Sequence, residues 1–234
     1  MKRAALALLL ALMPGTAWAQ AYQCQAPAAP LSVPPVTMDG PVRQVPVARY
    51  TLALSWSPEF CRGRETSARN AFQCSGSGGR FGFILHGLWP EGRGSAYPQW
   101  CPTRRTVSPA LARQHLCMTP DTWLLAHEWA KHGACMSGTP ERYFATARGL
   151  WNALRWPDYD RISRQQGLTA GDVRQAFVEA NPGFTADQVG LRLNPRGWLT
   201  EMRLCYDRRL RPTRCNNWQL GVADETEVRI WRGL

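Results

Sequence analysis

The chain has 234 residues, 44% of them hydrophobic, and a formal net charge of +11. That length and apolar content fit one globular domain, and apart from the N-terminus no segment approaches the apolar character of a membrane-spanning helix. The positive charge favours polyanionic partners, although a basic surface that only confers solubility accounts for it equally well.

The N-terminus reads as a signal peptide over residues 1–19. Lys2 and Arg3 form the charged region, Ala4 to Met13 an apolar stretch too short to span a bilayer, and Ala17-Trp18-Ala19 a small-x-small cleavage site. A mature chain starting at Gln20 loses two basic residues and no acids, which takes its charge from +11 to +9. Residues 20–48 carry six prolines and little periodicity, so they read as an extended arm that Cys24 would pin to the body. From Tyr50 the pattern becomes strict alternation, with Tyr50, Leu52, Leu54 and Trp56 set against Thr51, Ala53 and Ser55, the mark of a half-buried strand. Residues 62–80, rich in Arg, Ser and Gly, are expected as a loop. An apolar run of strand length, Phe83-Ile84-Leu85, then delivers His86 just before Gly87 and Trp89.

Residues 91–120 are expected to be irregular apart from a short helix near 109–116, with Arg104, Arg105 and Arg113 exposed and His115 an ordinary surface residue. Asp121 can cap a helix that Gly133 ends. With His127 at zero, Lys131 lies at roughly 40°, Glu128 at roughly 100° and His132 at roughly 140°, so four polar groups share one side. Trp123, Ala126, Trp129 and Ala130 fall on the other, and Trp56, Trp123, Trp129 and Trp151 read as core. Lys131 stands out because the chain has only one other lysine, Lys2, among 28 basic residues. A compact ammonium and a flat guanidinium do not fill the same geometric role. Further helices start at Thr139-Pro140, with an apolar face from Tyr143 to Leu154, and at a Thr169 cap with Asp172 three residues on. Strands are expected at 188–194, 198–206 and near 227–231. Segregated helices and antiparallel strands make an α+β fold, in a single domain over 49–234.

The segments His86-Gly-Leu-Trp-Pro90 and His127-Glu-Trp-Ala-Lys-His-Gly-Ala-Cys135 resemble the two signature active-site segments of the ribonuclease T2 family, and the likeness extends from Tyr50 to about Cys215. The resemblance implies a central antiparallel sheet with helices packed around it, and an endoribonuclease that cleaves single-stranded RNA and leaves DNA intact. RNA carries its own nucleophile, the 2′-hydroxyl, and needs a base, an acid and positive charge on the phosphate. Two histidines can serve as base and acid near neutral pH. The resemblance implies His132 as base, His86 as acid, His127 on the phosphate, and Glu128 and Lys131 stabilising the transition state, with no metal or other cofactor. Trp89 can bind substrate by stacking on a base and hydrogen-bonding through its indole nitrogen, since flat aromatics suit unstacked single-stranded bases, and Glu91 and Tyr97 match base-pocket positions of fungal members. Leu124 departs from the aromatic often found at its position.

All eight cysteines lie beyond the cleavage site, without a CxxC pair, which favours disulfides over structural zinc and leaves 105 possible pairings. The resemblance implies Cys61–Cys74, Cys101–Cys135 and Cys205–Cys215, with Cys24–Cys117 the remaining pair. The chain is read as an exported monomer, periplasmic or secreted, with no membrane partner. Two other readings compete. His127-Glu128 invites comparison with zinc hydrolases, but zincins use His-Glu-x-x-His, whereas these histidines differ by five positions and splay by roughly 140°. A non-catalytic basic RNA-binding or toxin-like protein is the other, against which stands an intact His-Glu-Lys-His set.

Overall fold

A computed structural model of the protein describes residues 21–233; the expected signal segment 1–19 and its cleavage point lie outside them. Short strands β1 (Ala21–Tyr22) and β3 (Arg80–Phe81) pair with each other. The central antiparallel sheet is built from β2 (Arg49–Trp56), β4 (Phe83–Glu91), β5 (Val189–Leu193) and β6 (Leu199–Asp207), in the order β4-β2-β6-β5. The helices are α1 (Ser57–Cys61), α2 (Ala71–Cys74), α3 (Pro109–His115), α4 (Thr122–Lys131), α5 (Pro140–Asn152), α6 (Tyr159–Ile162), α7 (Ala170–Ala180) and α8 (Asn217–Leu220). The fold is thus a single α+β domain.

One face of the sheet is the core. Leu52, Leu54, Leu85, Leu88, Leu191, Met202 and Leu204 are buried there with Tyr143, Phe144 and Ala147 of α5 and Val173 and Phe177 of α7. Period-two alternation in β2 and β6 sends the intervening polar residues to the other face, where Ser55 sits opposite Glu201 and Ala53 opposite Arg203. β4 needs an extra device. Leu85 and Leu88 both enter the core although three positions apart, a spacing that a regular strand would split between faces. The register accommodates this by pairing Ala53 with Gly87 and Leu54 with Leu85, so His86 is the extra residue of a β-bulge. A bulge re-aims a side chain at the expense of one ladder position, and here it turns His86 out onto the polar face. The outer edge of β4 is satisfied locally: Leu85 N donates to Met118 O at 2.9 Å and Leu88 N to the Tyr143 hydroxyl at 3.1 Å.

The helix starts follow their caps. The Asp121 carboxylate accepts from Trp123 N and Leu124 N, Thr139 accepts from Arg142 N ahead of Pro140, and Thr169 and Asp172 form a reciprocal capping box. Four disulfides close the fold, at Cys24–Cys117, Cys61–Cys74, Cys101–Cys135 and Cys205–Cys215. Residues 23–48 run mostly without regular structure along the body, where Arg113 clasps them by donating to Pro27 O and to Ala29 O.

Three local expectations are corrected. Residues 62–80 are not all loop, because α2 forms within them and brings Cys74 to Cys61. Residues 227–231 form no strand: Glu227 bridges only Thr169 and Arg229 only Trp198. Val228 and Ile230 alternate because an extended segment buries every second side chain with or without a ladder. His115 is not on the surface. It is 2% exposed and stacks on Phe144, and burial pushes its pKa down to about 4, with Arg148 adding to the effect.

Arg174 of α7 is the polar anchor of the core. Its buried guanidinium donates to the carbonyls of Val189, Leu220 and Val222 and to Asp224, tying α7 to β5, to the end of α8 and to the chain that follows it. Arg174→Met keeps the bulk and strands three carbonyls. It should destabilise the fold by about 3 kcal/mol, seen in urea as a lower midpoint at unchanged slope with the disulfides intact.

Candidate active site

α4 lies across the bulged edge of the sheet, and its polar residues divide between two neighbours. The separation of roughly 100° between His127 and Glu128 is enough to send Glu128 beneath β4 while His127 and Lys131 face the N-terminal arm. Glu128 is 2% exposed, and its Oε2 accepts a hydrogen bond from Trp89 Nε1 at 2.8 Å. Gly87 makes room for it, since a Cβ there would lie 1.9 Å from Glu128 Oε2 and 2.8 Å from Trp89 Nε1. The other carboxylate oxygen, Oε1, lies 3.7 Å from His86 Nε2. Burial pushes Glu128 up to about 7, against the opposing pull of His86, the Trp89 hydrogen bond and Lys131.

His86 and His132 flank Trp89, their ring centroids 5.1 and 5.6 Å from the indole. His132 follows α4 as its C-cap and is 8% exposed, with Nδ1 buried and unpartnered among the described residues. Burial, then the charge of Lys131, holds its pKa well below the ordinary histidine range. His86 keeps 32% of its side chain exposed. Its Nδ1 lies 2.9 Å from Glu201 Oε2 and 3.3 Å from Ser55 Oγ. Burial would lower its pKa, but the Glu201 hydrogen bond and the charges of Glu128 and Glu201 outweigh that and the opposing Arg203, so it rises. The two rings that flank Trp89 therefore favour opposite protonation states.

The second half of the site carries Lys131 and His127 and faces the arm. Lys131 Nζ lies 2.6 Å from Asp39 Oδ2, Trp100 Nε1 donates to Asp39 Oδ1 at 3.0 Å, and His127 Nε2 lies 3.9 Å from the same carboxylate. The bond to Lys131 is the main reason the Asp39 pKa is lowered. His127 stacks on Trp123 with centroids 4.8 Å apart, and Trp100 meets it edge-on. Burial and Lys131 lower its pKa. Trp100 adopts φ 55°, an uncommon conformation for a bulky residue. Its backbone N–H donates to Lys131 O at 2.8 Å, and the neighbouring Cys101 is bonded to Cys135. The end of α4 is thus fixed by a loop amide and a disulfide together.

The structure brings His86, His127, Glu128, Lys131, His132 and Trp89 together. It places the other two candidates differently. Glu91 is buried at the end of β4, accepts from Thr51 Oγ1 at 3.1 Å, and is pushed up by burial. Tyr97 is half-buried with the Arg43 guanidinium 4.6 Å over its ring. Trp89 has already committed its indole nitrogen to Glu128. Trp123, expected in the core, is half-buried and lines a cavity of about 360 Å³ with His86, Arg64, Arg69, Leu124 and Phe60. Sequence reasoning missed Asp39, Trp100, Glu201 and Arg203. For Glu201 and Arg203 a signal existed, since they are charges alternating with Met202 and Leu204 in an apolar strand. Among the described residues no group of three or more His, Cys, Asp or Glu side chains is placed to hold a metal ion.

Residues 48–180 match the model of the Ribonuclease T2 family. A ribonuclease of Aeromonas hydrophila is 41% identical over 164 residues, covering 68% of this chain and 71% of its own. A probable ribonuclease of Haemophilus influenzae is 31% identical over 185 residues; the match covers 74% of this chain but only 63% of that relative. Among solved structures, trichomaglin, described as a novel S-like ribonuclease, superposes with a TM-score of 0.59 at 21% identity over 79% of this chain and 97% of its own.

Asp39 holds an anionic group against Lys131 and His127, so it competes with any other anion there. Asp39→Asn should tighten inorganic phosphate binding about fivefold, the equivalent of roughly 1 kcal/mol for a half-exposed pair. Quenching of tryptophan fluorescence, with Trp100 and Trp123 beside the site, measures it; unchanged affinity would mean that phosphate does not meet this cluster.

Proposed function

The chain belongs to the ribonuclease T2 family, and on that footing we propose that it is an endoribonuclease cleaving single-stranded RNA by metal-independent transphosphorylation. The observation that carries this reading is the pair of histidines on either side of Trp89 with pKa values displaced in opposite directions. The displacements favour His132 as a free base and His86 as an imidazolium, the protonation states that the two roles require.

His132 takes the proton from the 2′-hydroxyl, the 2′-oxygen bonds to phosphorus, and the bond from phosphorus to the 5′-oxygen breaks. His86 gives its proton to that departing oxygen. The product is a 2′,3′-cyclic phosphate. In the second step water adds to phosphorus, its proton passing to His86 while His132 returns one to the 2′-oxygen, leaving a 3′-phosphate. Lys131 and His127 bind the phosphate oxygens where charge builds up, after displacing Asp39. Glu128, whose pKa burial pushes up to about 7, sits where it can share a proton with the crowded phosphate oxygens. The bases extend along the cavity that Trp123 and Phe60 line, aromatic side chains of the kind that suits unstacked, single-stranded RNA.

Export belongs to the same proposal. Residues 1–19 are removed as a signal peptide, residues 20–48 remain as the arm, and residues 49–234 are the catalytic domain of a monomer. Four disulfides with no free thiol among the described residues support an oxidising compartment, the periplasm or the exterior. No helix among the described residues is long and apolar enough to cross a membrane.

The test is incubation with RNA and with matched DNA, with and without EDTA, followed by end-group analysis. Cyclic phosphate ends maturing to 3′-phosphates, intact DNA and indifference to chelator are expected. Ends bearing 5′-phosphate, or activity lost with EDTA, would overturn the reading. The pH profile of kcat/KM should be a broad bell. Its acid limb falls as His132 gains a proton, below about 6.5, and its alkaline limb falls as His86 loses one, above about 6.5. His86→Ala and His132→Ala should each lower turnover about 100- to 10,000-fold, with His127→Ala retaining more.

A further inference from the structure

We propose that Glu201 of β6, held by Arg203, is the positioning residue of His86: it accepts the Nδ1 proton and so turns Nε2 toward the reacting phosphate. The proposal rests on the ribonuclease reading for the chemistry, but its geometry stands without it. His86 Nδ1 lies 2.9 Å from Glu201 Oε2, and Arg203 Nε donates to the other oxygen, Oε1, at 2.6 Å. Both carboxylate oxygens are therefore engaged, one by the ring and one by the guanidinium. Arg203 is fixed in turn, with its guanidinium 5.2 Å over Trp89 and 4.4 Å over Trp218. Sheet register enforces the arrangement: Glu201 is paired across the ladder with Ser55 and Arg203 with Ala53, on the face to which the bulge turns His86.

A bulged residue needs such a partner. An imidazole at the sheet edge with a third of its surface exposed can rotate about χ2 and exchange tautomers, and only one orientation offers Nε2 to a leaving oxygen. A carboxylate on Nδ1–H removes the others, as it does wherever a histidine must present one chosen nitrogen. Glu128 cannot do this. It lies 3.7 Å away on the Nε2 side, where the substrate must come, and burial favours its protonated form. Glu201 stays ionised, because His86 and Arg203 outweigh its burial. When Nε2 gives its proton to the 5′-oxygen, the ring becomes neutral with Nδ1–H still on Glu201, ready to receive the proton of the incoming water.

The other charges around His86 are Arg64, Arg69 and Asp121 across the cavity it lines, together with His127, Lys131 and His132 on and after α4. None comes within hydrogen-bond reach of its ring among the described residues. The positioning effect should therefore follow Glu201 and Arg203.

The experiment combines kinetics with a titration that needs no activity. With only four histidines in the chain, the C2 proton of His86 can be followed by NMR and assigned with His86→Ala. Glu201→Gln should lower the His86 pKa and shift the alkaline limb of the pH profile downward by the same amount. It should also cut kcat on a dinucleotide about 10- to 100-fold with little change in KM. Arg203→Gln should move the His86 pKa upward, because it removes a positive neighbour and leaves the carboxylate. A residue that merely supported the fold would not produce opposite shifts. If Glu201→Gln fails to fold, Arg203→Gln carries the titration test, and an unchanged or lowered His86 pKa in it overturns the proposal. An unchanged His86 pKa and kcat in folded Glu201→Gln does the same. If the wild-type protein cleaved no RNA while the opposite shifts were seen, the ribonuclease reading would fall and the Glu201–His86 coupling would remain.

Discussion

A carboxylate buried at the seam between α4 and an edge strand is the constraint on which the rest of the site depends. Glu128 reaches that position only because residue 87 of β4 is glycine, and it stays there because Trp89 donates an indole N–H to it. An unpaired buried carboxylate carries a heavy desolvation penalty, so helix and strand must meet at one register. That requirement fixes where His86 emerges beside Gly87 and where His132 ends the helix. The bulge, the glycine and the tryptophan form one device for placing two histidines around a buried acid.

Charge is distributed across the site in a way that no single pair explains. On the sheet side, carboxylates surround His86 and favour its cation. At the end of α4, burial and a lysine favour neutral imidazoles at His127 and His132. The two regions meet at Trp89, whose ring separates them. Asp39 completes the picture by placing a carboxylate of the arm on the only lysine among the described residues. Cys24–Cys117 and the Arg113 clasp hold the arm to the body on the approach to that point.

How much of this was legible depended on whether the signal was local. Alternation in 50–56 and the capped helices at 121, 139 and 169 follow from neighbouring residues, and the structure forms elements at each. The grouping of His127, Glu128, Lys131 and His132 followed from helical geometry alone. What the wheel did not convey is that its arc is shared between two neighbours, so one edge of it is buried and the other is capped by the arm. Long-range partners left no trace that could be paired. Glu201 stands 115 positions from His86 and Asp39 stands 92 from Lys131. The bulge had a subtler signature, the core spacing of Leu85 and Leu88, which a strict two-residue period cannot serve. His115 and Trp123 went astray for the same reason in opposite directions: residue type sets a preference for burial, and the packing partners, Phe144 in one case and His127 in the other, decide it.

The most direct test of the account is a crystal structure with a cleavage-resistant dinucleotide whose attacking 2′-hydroxyl is replaced by hydrogen. Its phosphate is expected between His86 and His132, with a non-bridging oxygen within hydrogen-bond distance of Lys131 Nζ, the 5′-oxygen on the Nε2 side of His86, and Asp39 displaced. A phosphate bound elsewhere, with the Asp39–Lys131 pair intact and His86 turned away from the ligand, would contradict it.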